Sequence, residues 1–131
     1  MAKTILIADD EPGVVKILGM RLIANGYNVI VAYGGASTIE LARKAEPDLI
    51  ILDIKMPCKD GYSVFEDLKA SAKTMSIPIV FFSALLPELA QRKATQLGAD
   101  GFISKSANPD EILIKIMEVL DKFETQPIKQ K

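Results

Sequence analysis

Five short apolar runs, each followed by a stretch with apolar residues at helical spacing, constrain this chain more than any other feature of its 131 residues. The runs cover residues 5–8, 29–31, 49–52, 79–82 and 102–103 and are rich in β-branched or aromatic side chains. They read as strands buried on both faces. In the stretches between them, Val14, Val15, Leu18 and Leu22 near the start and Ile112, Ile116, Leu120 and Phe123 near the end recur as on amphipathic helices. Gly26 and Gly98 stand where left-handed helix ends are wanted, and Asn108-Pro109-Asp110-Glu111 supplies a cap, a proline at the first helical position and an acidic first turn. Five strand-helix repeats predict one doubly wound α/β domain with a parallel sheet covered on both sides. Periodicity leaves the strand order open. The domain is expected over residues 1–123, with a polar, proline-interrupted tail over 124–131.

A formal net charge of -1 gives no basic field to gather phosphate backbones, so direct nucleic-acid binding by this domain is not expected. The apolar run after Thr4 is too short for a signal peptide or a membrane span, which makes the cytoplasm the expected location and membrane insertion unexpected. Cys58 is the single cysteine and forms no intramolecular disulfide; it reads as a passive surface residue. The chain has no histidine, which excludes a Ser-His-Asp triad and a phosphohistidine of its own.

In a doubly wound sheet, ligands bind beyond the carboxyl ends of the strands. Those ends carry Asp9-Asp10-Glu11, Asp53, Ser83-Ala84 and Ser104-Lys105. Singly, each has an ordinary reading as a helix cap or solvated loop residue. Together, Asp9, Asp10 and Asp53 would repel one another unless positive charge intervened. Lys105 offers one charge and a divalent metal two, which brings these three carboxylates close to neutrality. An all-oxygen donor set suits magnesium, whereas zinc would want histidine or cysteine. A nearly neutral pocket of this kind is suited to receive a phosphoryl group.

The segments ILIADDEPG, PDLIILDIKMPCKDGYSVFE, IPIVFFSAL and LGADGFISKS resemble, in order and spacing, the successive signatures of receiver domains of two-component response regulators, over about residues 4 to 122. The acidic pair, the run from Asp53 through Met56-Pro57 to Gly61, the Ser83-Ala84 step and the run from Gly98-Ala99 through Phe102 to Lys105 match independently. The resemblance implies a flavodoxin-like sheet of order 2-1-3-4-5 flanked by five helices. It implies phosphorylation of Asp53 by a sensor histidine kinase or a histidine phosphotransfer protein. Magnesium would be held by Asp10, Asp53 and the backbone carbonyl of Lys55, with Asp9 acting through water. Lys105 and Ala84 would contact the phosphoryl group, with Ser83 turning its hydroxyl toward it. Phe102 would then swing inward and change the surface made by helix four, strand five and helix five, where Arg92, Lys93, Lys115 and Lys122 lie. That surface would address an output protein or an attached effector domain, as a monomer or a phosphorylation-dependent dimer. Such a domain is a regulatory switch rather than an enzyme, catalysing only its own phosphorylation and dephosphorylation.

Two other readings stand beside this one. An aspartyl-phosphate phosphatase of the haloacid-dehalogenase type shares the aspartate, serine, lysine and magnesium, but it normally has a second aspartate where Lys55 stands and a cap segment for its substrate. A degenerate receiver that binds partners without phosphorylation would not need the full acidic set. One departure from the family concerns Lys105, which is usually followed by proline through a cis peptide. Here Ser106 follows, and a cis bond before serine would cost about 2.5–4 kcal/mol.

Overall fold

The computed structural model describes residues 2–56, 59–85 and 87–125. Five strands, β1 (Thr4–Ala8), β2 (Asn28–Ala32), β3 (Leu49–Leu52), β4 (Ile79–Ser83) and β5 (Gly101–Ser104), alternate with five helices. The helices are α1 (Pro12–Ala24), α2 (Gly35–Ala45), α3 (Gly61–Lys69), α4 (Pro87–Leu97) and α5 (Pro109–Thr125). The strands are all parallel, in the order β2-β1-β3-β4-β5 implied by the family resemblance. α5 runs two residues into the segment read as tail, and the rest of that segment lies outside the described residues.

The period of two along each strand sorts the core into two layers. Leu6, Ala8, Ile50, Leu52, Ile79 and Phe81 face α2, α3 and α4, where Ala42, Val64, Phe65, Leu68 and Ala94 meet them. Ile5, Ile7, Leu49, Ile51, Val80 and Phe82 face α1 and α5 and pack on Val15, Leu18, Leu22, Leu113 and Ile116. The central strands β1, β3 and β4 are thus covered twice, which is why their apolar runs are unbroken. The edges differ from the expected double burial. Val29, Ile30 and Val31 of β2 are only half-buried, as is Phe102 of β5, because an edge strand has a neighbour on one side alone. α1 is less cleanly amphipathic than its spacing suggests, since Ile17, Met20 and Ile23 are exposed on its outer side.

Local rules close the helices where the sequence places them. Gly26 and Gly98 take φ of 91° and 86°, values that only glycine adopts without strain. At α5 the Asn108 side chain accepts from the Glu111 backbone N–H at 2.9 Å while the Glu111 carboxylate accepts from that of Asn108 at 3.2 Å, a reciprocal cap that satisfies two otherwise orphaned donors. No helix among the described residues is long and apolar enough to cross a membrane.

Candidate functional site

The hydrogen-bond ladder of the parallel sheet continues one residue past the strands and fixes the backbone of Asp9, Asp53 and Lys105. Asp9 N–H donates to Ala32 at 3.0 Å, Asp53 N–H to Ala8 at 2.9 Å, and Lys105 N–H to the Ser83 carbonyl at 2.9 Å. These three side chains therefore stand at the edge of the rigid sheet rather than on free loops. Asp9, Asp53 and Ser83 are buried, and the side-chain oxygens of Asp9, Asp10 and Asp53 lie within 4.8 Å of one another. Asp10, Asp53, Lys55, Ser83, Ala84 and Lys105 line a common open cavity of about 250 Å³. At roughly 30 Å³ per water, that is room for a phosphoryl group and several waters.

Gly61, matched in the sequence but given no task there, explains how Asp53 is held. Its N–H donates to the Ile54 carbonyl at 2.7 Å, drawing the start of α3 against the chain just past the aspartate. A Cβ at this position would collide with the Asp53 carbonyl oxygen and stand 2.8 Å from the Ile54 Cα, so only glycine allows the approach. Asp60 caps the same helix by accepting from Ser63 N–H at 2.9 Å.

Lys105 reaches three carboxylates at once, at 2.8 Å for Glu11, 2.9 Å for Asp9 and 3.4 Å for Asp53. Burial alone would weaken its hold on a proton, but the Glu11 bond and the charges of Asp53 and Asp9 outweigh this and keep its pKa above the ordinary lysine value. Asp53 is displaced in the opposite sense for a carboxylate. Burial first, and the Asp9 charge second, push its pKa up to about 6, against the pull of Lys105 and a hydrogen bond from the Lys55 backbone N–H. Asp9 receives the Glu11 N–H on one oxygen at 3.0 Å. Its other oxygen is buried and meets the ammonium without the angle of a hydrogen bond, so it has no directed partner. A crowded, all-oxygen donor set of this kind fits a hard divalent cation such as magnesium.

Ser83 accepts from Leu85 N–H at 3.0 Å, which uses the oxygen as an acceptor and leaves its O–H to donate. Ala84 and Lys55 are both exposed at the cavity rim. Phe102 is half-buried against the α2–α4 layer. Lys93 lies with its ammonium 5.5 Å from the Tyr62 ring centre, so it reaches α3. Met56 is buried, whereas Pro57 and Cys58 lie outside the described residues.

Every peptide among the described residues is trans, including Lys105–Ser106. Serine suits this turn, since Ser106 N–H donates to the Ser104 hydroxyl at 3.1 Å and the two hydroxyls are 2.7 Å apart. A proline would lack that N–H.

Sequence reasoning missed Glu11 as a participant. Counting it, four carboxylates face one ammonium, and a divalent cation would leave the site at a formal charge of -1 rather than neutral. The available signal was its position. Glu11 occupies the N-cap of α1, where serine, threonine, asparagine or aspartate is favoured, and its side chain makes no cap bond.

The family profile described as the response regulator receiver domain matches residues 5–117. Among relatives, a probable transcriptional regulator, ycf27, of Galdieria sulphuraria is 39% identical over 122 residues, covering 91% of this chain and 47% of the relative. The protein of the same description from Cyanidium caldarium is 36% identical over 127 residues, covering 97% of this chain and 50% of the relative. The chain spans about half the length of these curated relatives. Among solved structures, a CheY-like response regulator receiver domain protein from Methanospirillum hungatei superimposes with a TM-score of 0.88 at 25% identity, covering 97% of this chain and all of that one.

Proposed function

The chain belongs to the response regulator receiver domain family, and from that premise we propose that it is a phosphorylation switch whose acceptor is Asp53. The observation that carries this reading is a buried aspartate at the end of the central strand β3, flanked by two more aspartates and faced by a lysine at 3.4 Å.

The Asp53 carboxylate attacks the phosphorus of a phosphohistidine on a sensor kinase or phosphotransfer protein. An oxygen–phosphorus bond forms, the nitrogen–phosphorus bond breaks, and the imidazole leaves. A carboxylate is the competent form, and at pH 7 most of Asp53 is ionised even with its pKa near 6. Lys105 donates to the phosphoryl oxygens, the Ser83 hydroxyl turns to another, and Ala84 is small enough to leave its backbone N–H accessible. Asp10, Asp53 and the Lys55 carbonyl, with Asp9 beside them, would hold magnesium, which would supply positive charge against the carboxylates and the incoming phosphoryl group. The product is an acyl phosphate, so water entering the cavity hydrolyses it and resets the switch. Movement of Ser83 draws the Ala84-Leu85 loop toward Asp53 and makes room for Phe102 to swing inward. The α4–β5–α5 surface then favours or releases an output partner, by shifting a pre-existing equilibrium.

Incubation with acetyl phosphate and magnesium tests the reading. Wild type is expected to take up one phosphoryl group that is labile to base, and Asp53→Asn none. Undiminished, acid-stable labelling of Asp53→Asn would remove the assignment.

A further inference from the structure

Glu11 touches the ammonium of the site, and the function proposed above leaves it without a task. We propose that Glu11 is a positioning residue, a latch that holds Lys105 toward α1 in the unphosphorylated state, so that a phosphoryl group must win the ammonium from it. This rests on the reading of Asp53 as acceptor.

Three independent features lead there. The ammonium is 2.8 Å from Glu11 on the α1 side of the cavity and 2.9 Å from Asp9, but 3.4 Å from Asp53, so its shorter contacts are not with the acceptor. Glu11 is also pinned locally. Its N–H is held by the Asp9 carboxylate at 3.0 Å, and its carbonyl accepts from Val15 N–H at 3.1 Å, so the backbone position from which its side chain reaches Lys105 is fixed. Finally, the N-cap of α1 forgoes its usual short polar side chain, and the longer glutamate bonds a lysine 94 residues away. A position that breaks a local rule in favour of a long-range contact is where a task is to be sought.

The consequence follows from the donors available. An ammonium has three N–H groups, and Glu11 takes one of them in the resting state. Phosphoryl oxygens carried on Asp53 draw Lys105 inward, and attraction retained by Glu11 is withheld from them. The latch therefore raises the threshold for phosphorylation and weakens the hold on the phosphorylated form. Glu11 is half-exposed, so water screens the pair and its influence is that of a surface ion pair, about two- to fivefold in an equilibrium constant.

The test is calorimetric titration of the full chain with beryllofluoride in saturating magnesium, comparing wild type, Glu11→Gln and Glu11→Asp. Glu11→Gln removes the charge. Glu11→Asp keeps it but shortens the side chain by one methylene and offers a better cap to α1, drawing the carboxylate away from Lys105. Both variants are expected to bind beryllofluoride about two- to fivefold more tightly than wild type. Unchanged affinity in both overturns the latch while leaving the acceptor reading intact. A gain in Glu11→Gln alone also overturns it, because simple repulsion between Glu11 and the anion would then suffice. Failure of wild type itself to bind beryllofluoride with magnesium overturns the acceptor reading, and the latch with it.

Discussion

Asp53→Asn is expected to make the metal-free protein more stable at neutral pH while abolishing its proposed phosphorylation. Burial and the Asp9 charge lift the Asp53 pKa from 3.8 to about 6. At 1.36 kcal/mol per tenfold change in proton affinity, the ionised carboxylate then costs the fold about 3 kcal/mol. Below pH 3.8 the group is neutral in both folded and unfolded chains, and no penalty applies. Between 3.8 and about 6 the unfolded chain releases its proton first, so stability falls as pH rises, and above about 6 the loss is complete. Asparagine matches the shape without the charge, although its amide is still a buried polar group. A gain of about 1–3 kcal/mol at pH 7.5, or about 4–12 °C in the unfolding midpoint for a domain of this size, is the expected result. Thermal unfolding of both proteins in a chelating buffer at pH 4 and pH 7.5 measures it, with the difference small at the lower pH and full at the higher. Magnesium should then narrow the gap by stabilising wild type more than the variant. An equal difference at both pH values, or a less stable Asp53→Asn at pH 7.5, would refute the electrostatic account.

Other perturbations probe separate parts of the arrangement. Asp10→Asn removes one carboxylate from the cluster and should weaken magnesium binding while raising metal-free stability; calorimetric titration that finds magnesium affinity unchanged would take Asp10 out of the donor set. Gly61→Ala forces a Cβ into the Asp53–Ile54 backbone and should cost about 1–3 kcal/mol with displacement of the acceptor, read together by denaturant unfolding and by loss of acetyl phosphate labelling. Phe102→Ala should leave Asp53 labelling largely intact yet uncouple the distant response. In NMR spectra of wild type, beryllofluoride shifts confined to the loops of Asp9, Asp53 and Ser83, with none at Phe102 or α4, would remove that coupling.

The strand and helix pattern was legible in the sequence because both periods are strong here. Continuous β-branched runs sit between helical repeats, and their boundaries carry glycine, proline and asparagine that do local backbone work. The identity of the clustered residues was legible too, since a parallel α/β sheet brings its strand ends to one edge, and a chain with Asp9, Asp10, Asp53, Ser83 and Lys105 at those ends must gather them there. Strand order was not in the periodicity, which records burial and not neighbours; it came from the family resemblance, and the fold agrees. The partial exposure of β2 and β5 was hidden for the same reason, because their apolar runs look like those of the central strands.

Tertiary structure alone decided which charges meet. Whether Lys105 turns to Asp53 or to Glu11 depends on side-chain reach across 94 residues of sequence, and spacing along the chain contains no such distance. The rise of the Asp53 pKa likewise needs burial and the nearby Asp9 charge, both set by packing. Gly61 shows the two levels joined. Its place in the motif was visible in the sequence, but the reason for it, a helix start pressed against the backbone of the acceptor, exists only once the chain has folded.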